Sequence, residues 1–167
     1  RPKGVMLSEL MCYTGITGFI FPFTGEANVN MAIPDAFLPS TIAHEMAHQR
    51  GIARENEANF IAYVACTHHP DTYFQYSGTL LALSYSLSAL RKTDAPAYGK
   101  LLSTLSSGVI DDLNYNSEFW KRYSGPIEEA SSKINDTYLK ANKQKTGIKS
   151  YGEMVDLLIG EYRKKIK

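Results

Sequence analysis

Cysteine is scarce: Cys12 and Cys66 are the only two in 167 residues. That is too few for a disulfide scaffold or for a zinc site built from four thiolates. Two buried thiols or a single bridge both fit, so the redox compartment stays open. Neither sign of charge is in excess, since 18 Lys and Arg stand against 17 Asp and Glu for a net +1. A dedicated nucleic-acid binder needs a basic surplus, so no nucleic-acid partner is expected. No apolar run reaches the roughly 18 to 20 residues that span a bilayer, because polar side chains interrupt even the greasiest stretch, residues 79–90. Repeats and low-complexity tracts are absent, and 44% hydrophobic with 11% aromatic residues is not the composition of a solvated coil. The expectation is one soluble globular domain over residues 1–167. Arg at position 1 in place of Met suggests a longer parent, with any signal peptide or anchor upstream.

Patterning points to a mainly α chain, α+β in class, with a helical bundle and a small β element near the N-terminus. Residues 6–33 are rich in Gly, Thr, Phe and Pro, and residues 28–33 alternate polar with apolar before Pro34, which predicts one or two short strands. Pro39 then opens a helix that stops at Gly51. A second begins near Arg54 and Glu55, its early acids suited to the positive end of the dipole. Pro70 and Asp71 open a third, ending before Asp94, and Leu101 to Leu113 suggest a fourth broken at Gly108. Ser124, Gly125 and Pro126 introduce a fifth, and Ser150 with Glu153 forms a capping-box pattern for a sixth. The closing basic run at residues 163–167 reads as a frayed, solvated helix end, with contact to anionic lipid as the alternative.

One motif carries chemistry, His44-Glu45-Met46-Ala47-His48. Positions four apart on a helix share a face, so the two imidazoles can converge on one ion at Zn–N distances of about 2.0 to 2.1 Å. Glu45 sits beside the first ligand without being aligned to coordinate, and can take a proton from the attacking water as general base. A pair of ordinary surface histidines leaves the apolar neighbours Ile42, Ala43, Met46 and Ala47 unexplained.

A catalytic zinc wants a third protein ligand and an open position. The HExxHxxGxxH pattern matches as far as Gly51 but has Arg54 where the third histidine belongs, and arginine does not ligate. Glu55 and Glu57 remain. Residues two apart on a helix point about 200° apart, so one of them faces the ion. If Phe60, Ile61 and Val64 mark the inward face, Glu57 shares it, and Glu57 is the expected ligand. Glu55 then serves the helix dipole or accepts from a histidine N–H, a part Asn59 could also take.

The segment TIAHEMAHQRGIARENEANFIAYVAC, residues 41–66, resembles an uncharacterised bacterial family of gluzincin-like zinc metallopeptidases expected to be membrane-associated. Its EANF portion resembles the glutamate-bearing helix of related zincins, which also favours Glu57. Residues 18–23, 26–30, 135–140 and 150–152 are similar to that family too, so the resemblance covers most of the chain. It implies a zincin-like fold, a Zn2+ cofactor and a membrane-anchored parent whose spanning segments lie outside this chain.

The expected activity is zinc-dependent hydrolysis of peptide bonds in a peptide or protein substrate, with Glu45 as base. Residues 28–33 are the candidate edge strand for an extended peptide, and Tyr138 and Tyr151 are candidate oxyanion donors, though packing explains each of them as well. His68 and His69 read as surface residues, Phe119 and Trp120 as core. A zinc-binding, peptidase-like sensing or docking module with little turnover is the alternative, and a metal-free helical interaction domain is a third reading.

Overall fold

The computed structural model describes residues 1–141 and 151–166. Its order is β1 (Lys3–Gly4), α1 (Ser8–Cys12), β2 (Gly18–Phe21), β3 (Glu26–Val29), a 3-10 turn (Asp35–Phe37), α2 (Leu38–Gln49), α3 (Glu55–Thr67), α4 (Thr72–Thr93), α5 (Ala95–Leu102), α6 (Ser107–Tyr123), α7 (Pro126–Ala141) and α8 (Tyr151–Lys165). The architecture is mainly helical with one small sheet, as the patterning predicts. Among the described residues no helix is long and apolar enough to cross a membrane.

The sheet runs β1-β3-β2, with β1 parallel and β2 antiparallel to β3. The strand expected at residues 28–33 is therefore corrected. It lies at the centre of the sheet rather than its edge, and it ends at Val29. The alternation does not persist because Asn30, fully buried, donates from its side-chain amide to the Ile16 carbonyl (3.1 Å) and accepts from the Ala32 amide (2.9 Å). Its side chain bends the backbone out of the ladder. The short α1 was not expected either, and it sits where the composition suggested strands.

Against the sheet lies α2, and α3 and α4 follow in close contact, with α8 packed on both. Leu80, Leu87 and Met154 fill this interior, and a buried hydroxyl pair ties two helices: Ser77 Oγ accepts from the Ser40 amide at 3.0 Å and lies 3.1 Å from Ser40 Oγ. Asp71 caps α4 by accepting from the Tyr73 amide (2.9 Å), which places that start where Pro70 and Asp71 predicted it. The fourth expected helix divides at residues 103–106 rather than at Gly108. Asp94 caps the new segment, α5, by accepting from the Ala97 amide at 2.9 Å. Both cysteines are buried and unbridged, and burial pushes the Cys66 thiol up to about 11, so it stays protonated and inert at neutral pH.

The face that α3 turns inward decides the site. Ala58, Ala62 and Cys66 are its buried residues, a stripe of small side chains that lets neighbouring helices approach closely. Ile61, by contrast, is 37% exposed.

Candidate metal centre

The end of α2 shapes the site. Gly51 holds φ +95°, its amide donates to the His48 carbonyl (3.0 Å), and the Ile52 amide donates back to the Ala47 carbonyl (3.2 Å). This pair of bonds is a Schellman motif, which needs a residue free of Cβ strain at the left-handed position. The turn has a second effect: it leaves the Ile52 carbonyl 2.7 Å from His48 Nδ1. A carbonyl only accepts, so Nδ1 carries the hydrogen and the lone pair of the neutral ring lies on Nε2.

The same turn delivers the first residue of α3 to the histidines. His44 Nε2 lies 3.0 Å from His48 Nε2. Each is 3.4 Å from a carboxylate oxygen of Glu55, His44 from Oε2 and His48 from Oε1. Among the described residues these three form the one group of His, Cys, Asp or Glu whose ligand atoms converge. The His48 Nε2 lone pair and the Glu55 carboxylate repel one another at such a distance unless a proton or a metal ion lies between them. With bonds of about 2.0 to 2.1 Å, the edges of a tetrahedron around zinc are about 3.3 Å. The donor set therefore fits zinc in both chemistry and spacing.

The carboxylate that converges with the two histidines is that of Glu55, and Glu57, the expected ligand, lies outside the group. Glu57 pairs with Arg54 at 3.3 Å, its side chain 43% exposed. Side-chain bulk does not mark the inward face of α3. The buried stripe is Ala58, Ala62 and Cys66, and Glu55 lies on it, seven residues before Ala62, whereas Glu57 faces the opposite way. Asn59 lines a cavity beside the cluster.

Electrostatics separate the roles. Burial works to raise the Glu55 carboxyl, but hydrogen bonds with His44 and His48 outweigh it and hold the group well below the usual carboxylate range. His48 is opposed by burial, yet the hydrogen bond with Glu55 holds its proton affinity above the ordinary value. Glu45 goes the other way: burial raises it, the two histidine charges pull it down, Glu55 pushes it up, and the net shift is upward. Only 3% exposed and outside the converging group, Glu45 lies under β2, where a Cβ on Gly18 would overlap its carboxyl group. Glycine at position 18 is thus the condition for Glu45 to sit where it does. The two histidines are not equivalent, because His44 Nδ1 is buried without a hydrogen-bond partner.

Next to the cluster lies a cavity of about 290 Å³ lined by His44, Glu55, Asn59, Tyr85, Asn116 and Trp120 among others. Trp120 was expected in the core. Its indole N–H instead donates to Asn116 Oδ1 (3.2 Å) at the cavity wall, while Phe119 is the buried partner. No motif marked Tyr85, Asn116 or Trp120, which reach the site from α4 and α6. His68 and His69 stay clear of it, the first donating from Nδ1 to the Val64 carbonyl (2.8 Å), the second stacked on Phe74. The side chains of Tyr138 and Tyr151 lie outside the described residues.

The chain belongs to the DUF3810 family. The family's model, described as a protein of unknown function, matches residues 1–159 and so takes in the whole α2–turn–α3 unit. Comparison with curated proteins and with solved structures finds no match. Membership assigns no reaction, and the chemistry has to be read from the site of this DUF3810 member.

Proposed function

We propose that this chain is a zinc-dependent metallopeptidase domain in which His44, His48 and Glu55 hold the ion and Glu45 is the general base. The observation that carries the reading is the convergence of two imidazole Nε2 atoms and a carboxylate at 3.0 and 3.4 Å, with the His48 ring held in the ligating tautomer by the Ile52 carbonyl. When bound, zinc supplies Lewis acidity toward the scissile carbonyl and makes the attacking water more acidic. Glu45, its proton affinity raised by burial, accepts the water's proton and returns it to the leaving amine. The open edge beside Glu45 is β2, which pairs only with β3 among the described strands, so an extended peptide or protein substrate would add there. The membrane-anchored parent is part of the same proposal and rests on the resemblance of residues 41–66.

Metal analysis after purification without chelators tests the centre, with about one zinc per chain expected. Glu45→Gln should keep the zinc and abolish hydrolysis in a peptide-library screen. Unchanged hydrolysis would remove Glu45 as the base; no zinc, even after adding it back at neutral pH, would remove the metallopeptidase reading. The near-complete burial of Glu45 favours a second reading, a zinc-binding, peptidase-like module that docks a partner with little turnover. Zinc bound at full stoichiometry with no peptide cleaved would select it.

A further inference from the structure

On the far side of α2 from the metal cluster, a groove of about 720 Å³ opens between α2, α3 and the β1–β3 pair. Its volume falls within the roughly 300 to 1,000 Å³ of small-molecule sites. Val29, Ile42, Met46, Ile61, Ala65 and Phe74 make its apolar wall. Ala65 and Ile61, four apart on α3, stand exposed to it. Polar character in the lining is almost all cationic: Arg1, Lys3 and Arg50 contribute, and no aspartate or glutamate does. Lys3 is neutralised by Glu26 at 2.5 Å. Among the described residues neither the Arg1 nor the Arg50 guanidinium makes an ion pair, so two cationic groups stand beside an apolar trough.

We propose that this groove binds a long-chain anionic amphiphile, a free fatty carboxylate, with its chain on the apolar wall and its carboxylate met by Arg50 and Arg1. Charge complementarity picks the occupant. An apolar trough alone would take any greasy segment, whereas guanidinium groups without an ion pair, in a lining whose nearest acid, Glu26, is already engaged by Lys3, favour an anionic head and disfavour a cationic one. The site is separate from the metal centre and does not depend on the hydrolase reading.

The test is calorimetric titration of the 167-residue chain with palmitate below its micellar concentration. One-to-one saturable binding is expected, weakening about tenfold for each two methylenes removed on going to myristate and laurate. Arg50→Glu, a change at an exposed position, should weaken palmitate about tenfold or more, and Ala65→Trp should block the trough. Hexadecyltrimethylammonium should not saturate. Zinc content, measured in parallel, should be the same in both variants as in the parent chain, which separates this outcome from any failure of the metal centre. Absence of saturable palmitate binding overturns the proposal. So does equal binding of the cationic amphiphile or indifference to Arg50→Glu, either of which would make the groove a surface for apolar protein segments.

Discussion

The two sides of α3 differ in a way that sequence alone conceals. One side carries Glu55, Ala58, Ala62 and Cys66, small or charged, and is the side packed inward; the other carries Glu57, and the larger Ile61 beside it stands partly open to solvent. Side-chain size does not report burial on a helix wedged between two others. Close approach of neighbouring backbones selects alanine and cysteine, and the bulky residues are left to the flanks. The charged residue at the head of the small stripe is therefore the one that meets the histidines.

The largest effect that can break this comparison is on metal affinity. Glu55→Gln should weaken zinc binding more than the roughly 10- to 100-fold seen when a group that only orients a ligand is lost, while Glu57→Gln should leave it within about twofold. Competition against a chelating dye measures both, and the reverse ranking would return the third ligand to Glu57. Next comes packing. Ala62→Leu should cost about 1 to 3 kcal/mol by overfilling the stripe, and Ile61→Ala, on the open flank, less than about 1.5 kcal/mol. Denaturant unfolding of the two variants gives the ranking, and equal costs would mean that both sides are packed alike.

Smaller again is the backbone at the helix end. Gly51→Ala places a Cβ at φ +95° and should cost about 1 kcal/mol. Zinc affinity should fall with it, because the Ile52 carbonyl that holds His48 moves with the turn. A loss of stability with unchanged zinc affinity would separate the turn from the site.

The smallest effect is the pH dependence of the metal-free chain. Glu55, held below its ordinary 4.5, adds stability that is present above that pH and is lost as the pH falls toward the depressed value. His48, held above its ordinary 6.5, adds stability that is present below that pH and is lost as the pH rises through the raised value. Glu45, raised by burial, resists ionising and also lowers stability as the pH climbs. Tm of the stripped chain should therefore peak in the acid range, near pH 4.5 to 6.5, and decline through neutrality, with Glu55→Gln flattening the curve. A stripped chain whose Tm rises steadily from pH 6 to 8 would contradict this balance.

Local signals were legible in the sequence where one residue type does one job. HExxH on a helix, Gly51 as its stop and the opening of α4 at Pro70 and Asp71 were all readable, because each rests on spacing or on backbone preference. What could not be read depends on neighbours distant in the chain. Glu55 and Glu57 differ only in what α3 packs against. Asn30 ends β3 by reaching the Ile16 carbonyl across the fold, and Trp120 of α6 lines a cavity whose wall also takes in Leu81 and Tyr85 of α4. The start of α5 at Ala95 was missed for a simpler reason. Asp94 followed by Pro96 reads equally well as the end of one helix and as the cap of the next.

Every proposed ligand lies between residues 44 and 55, joined by one turn. Closing so short a loop costs little chain entropy, and contacts this local form early, while the parallel pairing of β1 with β3 must wait for residues some 25 positions apart to meet. On the proposed reading, the α2–α3 hairpin captures the ion while the sheet and the outer helices are still unassembled. Zinc supplied during refolding should then accelerate the folding phase itself rather than only raise the final stability.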